Sequence, residues 1–179
     1  MCMVNYIIAG GPCTGKSSVI DALESLGYNV LKEAAREVAG SDERFIGKSV
    51  NEIDHELFED AIFDFQKDLF RELGDEVFFA DAGIGDSFGY RKFRGVPVGQ
   101  DLLDLAREIK HDKVFVLDVL DFYENDELRT ETREEQKIIH DYIIEAYGEL
   151  GYDVVFVPVM SVEDRVSFIL DKVGDEKSI

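Results

Sequence analysis

Nine residues, GGPCTGKSS from Gly10 to Ser18, constrain this chain more than anything else in it. They follow an apolar run at residues 4–9 (VNYIIA). They precede a stretch in which Val19, Ala22, Leu23 and Leu26 recur at helical spacing. The predicted local structure is a buried strand that feeds a helix through a glycine-rich turn. Gly10, four residues, then Gly15, Lys16 and Ser17 satisfy the spacing G-x-x-x-x-G-K-[ST] without a gap. Glycines let the loop of Gly10, Gly11, Pro12, Cys13, Thr14 and Gly15 curl around a phosphate. Its N–H groups add to the positive end of the helix that continues through Ser18. Lys16 supplies a point charge for the β- and γ-phosphates, and the Ser17 hydroxyl is placed to ligate Mg²⁺. The expected ligands are ATP and Mg²⁺. Cys13 is either a thiol made redox-sensitive by the helix end or a small filler in a tight turn.

The rest of the chain repeats the alternation. Short apolar runs at residues 28–31, 77–80, 114–117 and 154–157 are rich in β-branched and aromatic side chains and are bounded by Gly, Asp, Asn or Pro. Between them lie helical patterns at 49–73, 102–109, 131–150 and 161–173, which together predict an α/β domain with a mostly parallel sheet. The longest helix is expected to start on Ser49, with Glu52 completing a capping box, and to stop at Gly74; Ser161 caps the last helix. Residues 1–174 read as one domain and 175–179 as a frayed tail. Lys and Arg number 19 against 39 Asp and Glu, a net charge of −20, which disfavours nucleic acid and anionic membrane as partners. Two cysteines make no disulfide framework, no Cys/His set has zinc spacing, and no run approaches the roughly 20 apolar residues of a membrane span. The first apolar run lacks a basic leader, so the expected setting is soluble and cytoplasmic. His55, His111 and His140 are scattered and read as structural.

The absent motifs narrow the class. There is no N-K-x-D for guanine, and no predicted strand ends in Asp-Glu, so small kinases and stand-alone NTPases remain. Asp81 ends the third run; it is placed either to bind Mg²⁺ or accept a hydroxyl proton, or to cap the next turn. Asp86 is a second candidate with the same capping alternative. Glu33 and Arg36, three apart, either face a ligand crevice at the rim of the sheet, contacting a sugar hydroxyl and an anion, or form a surface ion pair. Residues 87–97 gather Arg91, Lys92 and Arg94 with Phe88, Tyr90 and Phe93. In so acidic a chain this cluster either receives an anionic substrate or is aromatic core.

Three segments, GGPCTGKSSVIDALESLGYNVLKEAAREV, VFFADAGIGDSFGY and GYDVVFVPVMSVEDRVSFIL, resemble the small AAA-domain P-loop family of predicted ATPases and kinases. That family is similar to the ribosylnicotinamide kinase domain of bifunctional NAD-biosynthesis regulators and, more distantly, to deoxynucleoside and adenylate kinases. The resemblance implies a three-layer fold with a parallel five-stranded sheet in the order 2-3-1-4-5, ATP on one side and an acceptor pocket near the ends of strands two and three. Kinases of this architecture carry a small lid, here near residues 121–135, where Arg129 and Arg133 either close over the transferring phosphoryl group or pair with Glu134, Glu135 or Asp126 on a helix surface; the turn at Pro158 and Val159 either lies against adenine or only punctuates strand and helix. Relatives carry Asp-Arg where this chain has Asp81-Ala82, which leaves Arg36 or Arg91 to supply a guanidinium. Three activities stay open: a kinase for a nucleoside-like hydroxyl, with Asp81 or Glu33 as base; a regulator or slow ATPase read by a protein partner or a second copy; and a nucleoside triphosphate phosphatase.

Overall fold

Side chains alternate across a strand, so a strand that is apolar at every position must be covered on both faces. The computed structural model describes residues 5–72, 77–109, 111–121 and 131–174. Its first half runs β1 (Asn5–Ala9), α1 (Lys16–Ser25), β2 (Asn29–Leu31), α2 (Ala34–Ser41), α3 (His55–Glu72) and β3 (Phe78–Asp81). Its second half runs α4 (Ile84–Arg94), α5 (Gln100–Glu108), β4 (Lys113–Leu117), α6 (Arg133–Glu149), β5 (Val154–Val157) and α7 (Val162–Gly174). All sheet pairings are parallel and the strand order is β2-β3-β1-β4-β5. This is the order that the resemblance implied.

β1 lies at the centre. Tyr6 and Ile8 point to one face, where Val19, Ile20 and Leu23 of α1 and Val166, Ile169 and Val173 of α7 cover them. Ile7 and Ala9 point to the other, under Phe63 and Phe70 of α3, Phe88 of α4, and Ile139, Ile143 and Tyr147 of α6. Each such fully buried large side chain contributes roughly 1.5–3 kcal/mol from removal of apolar surface. A third cluster (Val38, Phe45, Ile53, Phe58 and Ile62) joins α2 to α3 beyond the β2 edge. The sheet thus presents the C-terminal ends of β1 and β3, with the loops that follow them, along one rim, where open parallel sheets bind ligands.

Two elements depart from expectation. The Ser49–Glu52 capping box exists, but it closes a single 3-10 turn, Val50–Glu52, and Ile53 then returns to extended backbone. The long helix α3 begins only at His55, because Asp54 Oδ1 accepts from the backbone N–H groups of Glu56 and Leu57. Its expected stop at Gly74 lies outside the described residues. The other departure is α4, an eleven-residue helix through a segment holding Gly85 and Gly89. Glycine lowers helix propensity. These two positions need it because α6 crosses within contact of the α4 backbone: an added Cβ would fall 2.6 Å from the Tyr147 ring at Gly85 and 2.5 Å from Ile143 Cγ1 at Gly89.

Candidate functional site

The loop between β1 and α1 is built as its sequence requires. Gly15 sits at φ +89°, where side chains are strained, and hands the chain to α1. Among the described residues no side chain caps α1, so the N–H groups of its first turn lie at the positive end of the helix, where an anion is favoured. Cys13 and Ala82 are the described non-glycine residues with positive φ, +57° and +69°, and both stand at this rim. Backbone strain of this kind persists where surrounding contacts hold it and gathers at functional sites.

The first limb of the loop is held by buried side chains from distant elements. Asp86 of α4 accepts from Gly10 N–H at 3.2 Å, Gly83 N–H at 2.9 Å and the Tyr147 hydroxyl at 2.6 Å. Burial pushes the Asp86 carboxyl up, against the pull of Lys16 and these three donors. His140 of α6 accepts from Gly11 N–H through Nδ1 at 3.2 Å, which requires that nitrogen to be unprotonated. Burial, foremost, lowers the His140 pKa. Gln136, one turn earlier, donates to the Pro12 carbonyl. Gly11 is glycine because α6 comes this close: a Cβ there would lie 3.0 Å from both the Gln136 carbonyl and His140 Cβ. Thr14 Oγ1 donates to the Gly11 carbonyl at 3.0 Å.

Lys16 is folded back on the loop, donating through Nζ to the carbonyls of Gly10 at 2.8 Å and Gly11 at 3.0 Å. Ser17, on the first turn of α1, donates to Asp81 Oδ2 at 2.8 Å, joining the loop to the tip of β3. Among the described residues no group of three or more His, Cys, Asp or Glu side chains gathers around a metal position. The Ser17–Asp81 pair nevertheless fits Mg²⁺, which takes hard oxygens, commonly one or two from protein and the rest from phosphate and water. Ser18 is exposed on the outer side of α1.

Arg165 of α7 escaped the sequence reading. The residue is 2% exposed, and its guanidinium donates to the carbonyls of Thr14 at 2.6 Å, Pro158 at 3.3 Å and Asp118 at 3.4 Å. One side chain therefore ties the phosphate loop to the ends of β4 and β5. The available signal was its place on the apolar stripe of Val162, Val166, Ile169 and Val173, where a charged residue stays only with partners. The Pro158–Val159 turn is exposed at the same rim, its Pro158 carbonyl held by Arg165.

Beside the loop, α2, α3 and α4 line a cleft that opens to solvent. Phe58, Ile62 and Tyr90 supply apolar walls, and Ala82 and Asp86 lie at the end nearest the loop. Glu33 and Arg36 both line it, joined by a 3.0 Å ion pair. The expected anion-receiving cluster is not assembled there. Arg91 is buried against Asp60 at 2.5 Å and the Pro97 carbonyl, facing a separate groove; Lys92 bonds Glu145 on the surface. The guanidinium that reaches the cleft from α4 is that of Arg94, held by Glu59. Arg91 follows Tyr90 on the helix, so a turn of one residue decides which arginine faces the cleft.

Arg133 opens α6 and donates to the Asp121 carbonyl at 2.7 Å. Arg129 lies outside the described residues. Burial lowers the His111 pKa to about 4; its Nδ1 meets Asn5 Oδ1 at 2.6 Å far from this rim, and only His140 of the three histidines touches the loop among the described contacts.

The sequence profile of a family described as an AAA domain matches residues 5–165. No curated protein sequence matches the chain. Solved structures share the fold at low identity. NadR protein in complex with NR superposes with a TM-score of 0.75 at 15% identity, covering 99% of this chain and 52% of that one. Thymidylate kinase from Ehrlichia chaffeensis gives 0.67 at 11% identity, covering 97% and 100%. Deoxyadenosine kinase from M. mycoides gives 0.62 at 16%, covering 96% and 99%.

Proposed function

The chain belongs to the AAA-domain family, and from that premise we propose that it is a small-molecule kinase that transfers the γ-phosphoryl group of ATP to an acceptor hydroxyl. The observation that carries this reading is the second cleft. Asp86 lines it and also accepts from Gly10 N–H, so the acceptor space and the phosphate loop share a wall. A protein that only hydrolyses or senses a nucleotide has no need of an apolar-walled chamber beside the phosphates.

In this mechanism Lys16 leaves the Gly10 and Gly11 carbonyls and takes the β- and γ-phosphates, while the first-turn N–H groups of α1 cradle the phosphate chain. Ser17 Oγ and Asp81 would hold Mg²⁺, which supplies neutralisation of phosphate charge when bound. The acceptor oxygen attacks phosphorus, the bond to the β,γ-bridging oxygen breaks, and ADP leaves. The hydroxyl proton goes to a carboxylate. Glu33 is favoured for that proton because it lines the cleft and is steadied by Arg36, whereas Asp81 is engaged by Ser17.

The test is an acceptor screen with Mg²⁺ and ATP, reading ADP and the phosphorylated product by mass spectrometry. ADP release that depends on an acceptor is expected. Lys16→Ala should lower turnover by roughly 10²–10³-fold or more with an unchanged circular dichroism melt, as when one stabilising charge is lost from a transition state. ADP formed at one rate whatever is added, slowly or fast, would assign the chain to regulation or to phosphatase chemistry instead.

A further inference from the structure

We infer that the cleft takes an unphosphorylated acceptor that lays an apolar ring on its walls and presents N–H donors or a positive charge to Glu131. This rests on the kinase reading only in calling the occupant an acceptor. Glu33, Glu59 and Glu131 line the cleft against Arg36 and Arg94, and Asp86 adds a fourth carboxylate at its inner end. Both guanidinium groups are engaged, Arg36 by Glu33 at 3.0 Å and Arg94 by Glu59. Burial pushes the Glu59 carboxyl up against the pull of Arg94 and Arg91. Even with Glu59 protonated, the described charges on the cleft do not become positive. A phosphate entering here would displace a carboxylate from its arginine and then lie beside it, which like-charge repulsion opposes.

Glu131 supplies the second and independent observation. It is 7% exposed, and its Oε2 is buried with no hydrogen-bond partner among the described residues. Its Oε1 stands 3.9 Å from Arg94 Nη2, an ionic contact beyond hydrogen-bond range. A buried carboxylate oxygen without a donor is costly, and a ligand N–H removes that cost. Phe58, Ile62 and Tyr90 offer flat apolar surface for a ring.

The experiment uses the full chain with Mg²⁺ and ADP for calorimetric binding and with ATP for product detection. The probes are cytidine against uridine and adenosine against inosine, pairs of nearly equal size that differ in an amino or a carbonyl edge, with CMP added. The amino member of at least one pair should bind roughly 10- to 100-fold tighter than its carbonyl partner, the range for a hydrogen bond to a charged group. CMP should bind no better than cytidine. Glu131→Gln, nearly isosteric, should narrow the preference to about threefold or less, with folding checked by thermal melting. Carbonyl partners that bind equally well, tighter CMP, an unchanged preference in Glu131→Gln, or no binding by either pair overturns the inference. Amino-selective binding with no phosphorylated product supports the inference and defeats the kinase reading. Product formed preferentially from uridine, inosine or CMP does the reverse.

Discussion

Gly89→Ala reverses the sign expected from helix propensity. Gly89 lies well inside α4, where alanine is the better helix former by about 1 kcal/mol, so propensity alone predicts a gain in stability. The new Cβ would stand 2.5 Å from Ile143 Cγ1, 2.8 Å from Ile143 N and 2.9 Å from Ile143 Cα. Two of those atoms are α6 backbone, so no rotamer change clears the contact. Restoring ordinary carbon contact at about 3.5–4.0 Å drives α6 outward by roughly 1 Å. Overpacking of this kind costs about 1–3 kcal/mol. Three simultaneous contacts, two of them to backbone, put this case in the upper half of that range, about 2–3 kcal/mol, so after the propensity gain the expected net loss is about 1–2 kcal/mol. In a chain this size that lowers Tm by about 2–4 °C per kcal/mol. α6 also carries Gln136 and His140, and a 3.2 Å bond from Gly11 N–H lengthened by about 1 Å is no longer a hydrogen bond. Affinity for Mg²⁺-ATP should therefore fall with stability. Gly148→Ala is the control: it sits on α6 with nothing within 4 Å of its Cβ and should stabilise by up to about 0.5 kcal/mol. Urea unfolding and calorimetric titration measure both quantities. A Gly89→Ala protein as stable as the parent, binding ATP as tightly, would refute the argument that α6 packs on the loop through α4.

Arg165→Met keeps the buried aliphatic stem and strips donors from three carbonyls, so stability should fall by on the order of 3 kcal/mol and the KM for ATP should rise; a change in stability with no change in nucleotide affinity would separate α7 from the site. His111 is held neutral in the fold, its pKa lowered to about 4 by burial, with Nε2 buried and unpartnered among the described residues. Because the unfolded chain binds that proton near pH 6.5, stability is full above that pH and is lost as pH falls toward 4, by about 2 kcal/mol between pH 7 and pH 5. The difference between parent and His111→Phe unfolding curves over that window should show this slope; parallel curves would remove His111 as its source.

What was legible in the sequence followed from short-range rules. The glycine-lysine-serine spacing, the apolar runs and the capping residues act within a few positions of themselves, so β1, α1 and the Ser17–Asp81 end of the site could be placed. The strand order came through family resemblance, because residue periodicity carries no information about which strands are neighbours. α4 was obscured because its glycines answer to α6, more than fifty residues later. Composition marks the basic cluster of Arg91, Lys92 and Arg94 without saying that Arg94 faces the cleft and Arg91 the separate groove. Gln136 and His140 could not be tied to the loop for the same reason: nothing near them in sequence reveals that they bond residues 124 and 129 positions away.

The guanidinium of Arg165 has a consequence for how the binding site comes into being during synthesis. A ribosome that has delivered every glycine of the motif, its lysine and its serine has still not delivered the staple, which arrives 151 positions after Thr14. A nascent or truncated chain ending before α7 bears the full signature for gripping phosphate while the carbonyls of Thr14, Asp118 and Pro158 lack their shared donor. The three carbonyls thus gain their shared donor late, when the last described helix docks on the sheet.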